Sequence, residues 1–298
     1  MHSLAILGPR SNRRHLAEAE AEAQRLGWQL QNLESPDTTQ VEEFLHKEKP
    51  ECVLIFGGDG TLNRWLGTMV AAKVPVLPIP SGSGNDFAMV NGIPDAKTAL
   101  KIWRMAGTAQ MQIVATDLGT LKLSDGSLRY FSCCANVGLD ADAAARTNVL
   151  PNWLKQRKGY FIGGIGAIIK YQPLRLKITG EGFQPIDELS WFISICNTPI
   201  FGGGLPIAPQ ASITDGMLDI VFVGSTEIRR RDLVRHYPKI LSGKHTEVKE
   251  IKMLRTTQLR IETEISQPIY ADGEFIGHTP VDIAVAPACL RVMRMADR

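Results

Sequence analysis

The chain has 298 residues, enough for one large domain or two domains whose cores need no metal or disulfide staples. Lys and Arg number 33 against 31 Asp and Glu, and the resulting formal net charge of +2 excludes a protein that binds polyanions along a whole face, so nucleic acid is not an expected partner. The five cysteines lie mostly in apolar runs without metal-ligand spacing, which suits core thiols in a reducing compartment.

The opening run MHSLAILGPRSNRR places apolar residues ahead of its cations, the reverse of a secretory leader, and reads as a first strand over 3–7. Leu16, Ala19, Ala23, Leu26 and Leu30 then recur at helical spacing, and Val41, Phe44 and Leu45 open a second helix. The unbroken apolar run at 52–56 is expected of a parallel strand buried on both faces. Leu62, Trp65, Leu66 and Met69 follow at i, i+3, i+4 and i+7, and 74–79 forms another strand. This alternation over about the first 115 residues predicts an α/β layered domain.

Beyond Asp117 the texture changes. Strands are expected at 129–135, 174–179, 191–196, 218–223, 259–265 and 281–286, separated by Gly, Pro, Asp and Asn turns, with helices near 152–170 and 226–241. The division is an α/β domain over 1–117 and a β-rich domain over 118–298, packed closely with a cleft between them. The uncharged run at 159–169 carries four glycines and falls well short of the roughly 20 residues that span a bilayer.

Two glycine loops stand out. Gly57, Gly58, Asp59, Gly60 and Thr61 lie between a buried strand and a helix, where the backbone approaches phosphate closely, unpaired N–H groups point outward and Thr61 is placed to cap. Asp59 would repel bare phosphate but suits a bridging Mg2+; a tight turn with a solvent-facing Asp is the plainer reading. Ser81, Gly82, Ser83, Gly84, Asn85 and Asp86 end the next strand, where an open α/β sheet forms its ligand crevice; a turn capped by Asp86 explains them equally well. The first loop lacks the Lys and spacing of a P-loop, and neither loop has the G-x-G-x-x-G pattern. The six histidines show no metal or catalytic spacing, and no nucleophile elbow is present.

The ordered set GGDGTLN (57–63), SGSGNDF (81–87), NVGLD (136–140), Asn197 with GGG (202–204) and Ala208-Pro209, DGMLD (215–219) and DGE (272–274) resembles the diacylglycerol kinase catalytic-domain family, which is similar in its nucleotide domain to NAD kinases. The resemblance implies a three-layer α/β nucleotide-binding domain followed by a C-terminal β-sandwich, with the last residues returning to the first domain. It implies ATP and Mg2+ as cofactors, held by Gly57, Gly58, Asp59, Gly60, Thr61 and Asn63 with Ser83, Gly84 and Asn85. It gives Asp272 the place of the catalytic carboxylate, with Glu274 as its supporting acid and Asp59 as a third acid. It also implies a structural Mg2+ loop built on Asp215 with backbone carbonyls near Ser212 and Met217.

On the residues alone, a hairpin turn is the better reading of 271–274, and a D-G turn entering the 218–223 strand is the better reading of 215–219. The expected reaction is phosphoryl transfer from magnesium ATP to a lipid alcohol such as diacylglycerol. The rivals are a kinase of NAD or another soluble alcohol, and a nucleotide- or lipid-binding sensor without activity. The cationic and aromatic segment at 153–162 and Arg229, Arg230 and Arg231 suggest peripheral contact of a cytoplasmic protein with anionic lipid, an ordinary solvated face being the alternative. Quaternary state, including a homodimer, is left open. Two departures from the family pattern stand in the sequence: Gly8-Pro-Arg-Ser-Asn-Arg13 after the first strand, with Arg10, Arg13 and Arg14 near the expected nucleotide, and Arg64-Trp65 where Glu-Val is frequent.

Overall fold

In the computed structural model, residues 1–9, 11–138, 171–226 and 228–296 are described. The chain divides into two compact units, Met1–Thr116 with Ala288–Arg298, and Asp117–Pro287.

The first unit is built on parallel strands β1 (His2–Leu7), β2 (Gln29–Glu34), β3 (Cys52–Gly57) and β4 (Val76–Pro80), in spatial order β4-β3-β1-β2. The crossovers are α1 (Arg13–Leu26), α2 (Thr38–Glu48) and α3 (Asp59–Ala72), followed by the short α4 (Asp86–Val90) and α5 (Ala96–Arg104). Helix α1 packs with α5, and α2 with α3. Right-handed crossovers put these two pairs on opposite faces of the sheet, which gives three layers. Strands β1, β3 and β4 are buried on both faces, as their unbroken apolar runs require.

Leu30 is a correction to the helical reading. Gly27 terminates α1 in the left-handed region at φ 66°, and Leu30 belongs to β2. That strand was hidden because QLQNLE alternates too weakly to separate from the preceding helical rhythm.

The second unit begins within the long β5 (Met111–Leu123), continues through β6 (Leu128–Phe131), β7 (Cys134–Gly138), β8 (Leu174–Gly180), β9 (Ile186–Cys196), β10 (Leu218–Gly224), β11 (Ile251–Thr256), β12 (Gln258–Thr263), β13 (Pro268–Ala271) and β14 (Glu274–His278), and leaves within β15 (Val281–Met295). Its core includes Phe131, Val137, Ile193, Ile195, Phe222 and Ile269. The expected strand over 129–135 is two strands, β6 and β7, broken at Ser132 and Cys133. The expected helix over 226–241 is only α6 (Arg230–His236) continued by 3-10 turns, with Pro238 near the junction. The helix expected near 152–170, the 153–162 segment, Asp140 and Arg10 lie outside the described residues.

His245, between β10 and β11, is 2% exposed; its Nε2 donates to the Ile207 carbonyl at 2.8 Å, and burial lowers its pKa from 6.5. Below pH 6.5 the unfolded chain takes up this proton more readily than the folded one, so the neutral ring's contribution is complete above that value and is lost as pH falls towards the folded pKa. The melting temperature is expected to fall between pH 7.5 and 5.5 (roughly one unit either side of the unperturbed histidine), and His245→Gln is expected to flatten that slope.

Candidate active site

The sheet order of the first unit reverses between β1 and β3, where α/β folds place their ligands at the carboxyl ends of strands. Gly8 follows β1 there and Gly57 ends β3. A side chain at either would collide with Thr61: a Cβ on Gly8 would lie 2.5 Å, and one on Gly57 2.4 Å, from its Oγ1. Thr61 therefore fills the switch point. It does not cap the helix as expected; the N-cap is Gly58, without a side-chain cap. Helix α3 thus opens with its positive end and backbone donors facing the loop, an arrangement suited to anions.

The two glycine loops touch. A Cβ on Gly82 would come within 2.6 Å of the Gly58 Cα, so only glycine permits this backbone approach. Asp59 fastens the loops: its carboxylate accepts from the Asn85 N–H at 2.7 Å and from Phe87 N at 3.4 Å. Asn85 stands in the left-handed region at φ 60° as N-cap of α4, and its amide closes the loop on Gly82, accepting from the N–H at 3.0 Å and donating to the carbonyl at 2.8 Å. Asp86 is buried in the first turn of α4 and is not the N-cap. Ser83 is exposed, while Gly84 and Asn63 are half-buried. The recess lined by Ile55, Gly57, Gly58, Asp59, Pro80 and Asn85 holds about 10 Å³, room for about one water. A larger group must lie over the loop backbones.

Arg13 is bound to Glu34 through two hydrogen bonds of 2.7 and 2.8 Å, and Arg14 pairs with Glu18 at 3.0 Å, so both have acidic partners near α1. Arg64 donates to the Pro36 carbonyl at 3.0 Å and lies over the Trp65 ring. It ties α3 to the loop after β2.

In the second unit, Asp272 and Gly273 form the two-residue turn between β13 and β14, both at positive φ, 49° and 85°, as a type I′ hairpin requires. The Asp272 carboxylate is sunk into the break between β6 and β7. One oxygen accepts from Ser132 N at 2.7 Å and Ser132 Oγ at 2.9 Å; the other accepts from Cys133 N at 2.8 Å and Cys134 N at 3.2 Å. Asp272 is 7% exposed, whereas Glu274 opens β14 exposed to solvent. Asn197 braces the same break, donating its amide to the Ser132 and Asp117 carbonyls at 2.9 Å each. Asp117 in turn accepts from Gly216 N at 2.7 Å. One hydrogen-bonded chain therefore joins the 272 turn to the 215 loop.

The Ser132–Cys134 cradle and Asp117 were not singled out from sequence. Cys133 and Cys134 look like core residues and contribute through backbone N–H groups, which every residue type but proline has. Burial and the adjacent Cys196 thiol, at 2.9 Å, push the Cys134 thiol pKa well above its ordinary value. It is no nucleophile at neutral pH.

In the 215 loop the Asp215 side chain is held by protein partners. Asp215 accepts from Met217 N at 3.1 Å and is paired with Arg255, whose Nε also lies 3.4 Å from Asp219. Ser212 Oγ faces Thr214 Oγ1 at 3.4 Å. Among the described residues no group of three or more His, Cys, Asp or Glu that could hold a metal occurs, a pattern that a site of one carboxylate and backbone carbonyls would not show.

Residues 4–116 match the diacylglycerol kinase catalytic domain, and residues 133–294 match the YegS C-terminal NAD kinase beta sandwich-like domain. The chain belongs to the diacylglycerol kinase and YegS-like lipid kinase family. It is 31% identical to a diacylglycerol kinase of Mycobacterium tuberculosis over 246 residues, 82% of this chain and 77% of that protein. A crystal structure of a diacylglycerol kinase from Bacillus anthracis superposes with a TM-score of 0.70 at 19% identity, covering 98% of this chain and 96% of that one. A second Bacillus anthracis structure gives a TM-score of 0.76 at 21% identity over 98% and 94%. These structural likenesses establish the α/β domain joined to a β-sandwich. The family's chemistry is ATP-dependent phosphorylation of lipid or soluble alcohols.

Gly82→Ala is expected to force the glycine loops apart, cost about 1–3 kcal/mol in stability and weaken ATP binding by more than tenfold. Chemical denaturation and calorimetric titration with magnesium ATP would check both; unchanged affinity would detach the loop contact from nucleotide binding.

Proposed function

We propose that this protein is a lipid kinase that moves the γ-phosphoryl group of magnesium ATP to the hydroxyl of a diacylglycerol-like alcohol. What carries the nucleotide part is the uncapped start of α3 at the sheet's switch point, with two glycine loops in backbone contact beside it. The lipid preference rests on the 31% identity to a diacylglycerol kinase.

Gly57, Gly58 and Gly60 leave the backbone open to the ATP phosphates, and the first turn of α3 directs partial positive charge at them. Asp59 fixes the turn to Asn85, so the donors are held in place before the nucleotide arrives. Mg2+ enters with ATP as part of the substrate and screens the phosphate charge. The alcohol oxygen then bonds to the γ-phosphorus as the bond to the β-bridging oxygen breaks, ADP departs, and the hydroxyl proton passes to a carboxylate.

Asp272 was expected to take that proton, with Glu274 in support. The hydrogen bonding favours the opposite division. Both Asp272 oxygens are already occupied by donors of the cradle, whereas the Glu274 side chain is exposed. Asp272 thus acts as a positioning residue that fixes the hairpin, and the exposed Glu274 accepts the proton.

Labelled ATP with separate panels of diacylglycerols, sphingoid bases, NAD and soluble alcohols tests the substrate class; label in NAD or a soluble alcohol alone would overturn the lipid reading. Glu274→Gln is expected to keep the wild-type melting temperature while kcat falls by about 10²–10⁴-fold. Asp272→Asn points an amide donor at the donors of the cradle, so melting temperature and activity should fall together. Full turnover in Glu274→Gln would remove its assigned role.

A further inference from the structure

Asn136, from the NVGLD segment, sits in the middle of β7 with no solvent exposure, and neither its Nδ2 nor its Oδ1 meets a hydrogen-bond partner among the described residues. Its neighbours Ala135 and Val137 point into the core, so the amide stands on the other face of the sheet. The Asn197 N–H donates to the Cys133 carbonyl at 2.7 Å, and alternation along the ladder then makes Asn136 and Ser194 a pair without backbone hydrogen bonds between them, the kind whose side chains lie closest. Even so, Ser194 does not satisfy the amide. A dry amide without partners is costly, and folds normally remove it. Where one persists, function is the usual reason.

The surroundings indicate the ligand. Strand register places Phe275, Tyr270, Asn136, Ser194, Val221 and Met253 side by side across the sheet. No member of this row carries a formal charge. At its outer end Tyr270 and Phe275 pack edge to face with 5.8 Å between centroids, and Phe275, on the edge strand β14, is 53% exposed. Two strand spacings, about 10 Å, separate Phe275 from Asn136.

We infer that Asn136 is a specificity-determining residue that donates through Nδ2 to an acyl carbonyl of a neutral glyceride, whose chain runs along the row over Tyr270 to Phe275. This rests on the lipid kinase reading and narrows its substrate to an uncharged, ester-bearing alcohol. A dinucleotide would bring phosphates onto a row that offers them no cation, and a sphingoid base would bring an ammonium group without a carboxylate to meet it. A glyceride supplies an acceptor for the amide and aliphatic surface for the aromatic pair. The row runs out onto the hairpin whose turn carries Asp272 and Glu274, so a carbonyl held at Asn136 keeps the glycerol near that turn. Because folding leaves the amide unmatched, its hydrogen bond is made only when the ligand arrives, and the gain appears in full as affinity.

The test is equilibrium dialysis of the full chain against labelled dioctanoylglycerol and against its dioctyl ether analogue, which lacks both carbonyls. Wild-type protein is expected to bind the ester about tenfold tighter than the ether. Asn136→Leu keeps the branching of the side chain and removes its polar atoms. It should bind the two lipids equally, raise KM for dioctanoylglycerol about tenfold with kcat unchanged, and leave the affinity for magnesium ATP as it was. Its melting temperature should rise by about 2–4 °C, because an unmatched polar group has gone from the interior; an amide with a structural partner predicts a fall. Equal binding of ester and ether by wild type, an ester preference that survives in Asn136→Leu, or a lowered melting temperature in that variant would overturn the inference. The wild-type comparison needs no variant and decides alone if Asn136→Leu does not fold. Phosphorylation of both lipids without ester preference would sink the role of Asn136 and leave the lipid kinase reading standing, whereas label in NAD alone would remove both.

Discussion

The first unit of this protein depends on one close approach of main chain to main chain. Gly58 and Gly82 meet with no side chain between them, and the Asp59 carboxylate holds the second loop by its Asn85 N–H. The contact turns two separate strand-ends into one surface of backbone donors. It also explains why an acid stands where phosphate is expected: Asp59 has structural partners, and its charge is partly spent on the loop it fastens. Pre-formed donors of this kind need little rearrangement when an anion arrives.

The second unit solves the converse problem, holding a carboxylate in place on backbone donors. Three main-chain N–H groups and one hydroxyl receive Asp272. They are available because the chain breaks its strand at Ser132 and Cys133 and leaves donors that no neighbouring strand takes up. Asn197 and Asp117 keep that break from closing. The exposed Glu274 is therefore presented from a hairpin that is pinned at Asp272.

Local patterns made much of this legible. The strand at 52–56, the helix that begins with the 59–62 turn and the hairpin at 271–274 all announce themselves through apolar periodicity or turn chemistry. What escaped was tertiary. β2 has weak alternation because it lies at the sheet edge, and α6 ends early where the chain turns into 3-10 geometry. The Asp272 cradle is made of backbone N–H groups and leaves no mark in side-chain identity. The pairing of Asp215 with Arg255 joins residues 40 apart in sequence, and neither motif hints at the other. The acid of the 215 loop could be read from its motif, whereas its partner could not.

Thr61 has an implication for how variants of this chain should be interpreted. Its methyl and hydroxyl occupy space that Gly8 and Gly57 vacate, so positions 8, 57 and 61 act as a single lock whose parts cannot be scored independently. A larger residue at 8 or 57 is disallowed while Thr61 remains; alanine at 61 removes the two atoms nearest position 8 but keeps the Cβ that would lie 2.4 Å from a Cβ at 57. Such coupling makes single-site mutational scans underestimate the loop's tolerance, because permissible combinations are reached only through two simultaneous exchanges.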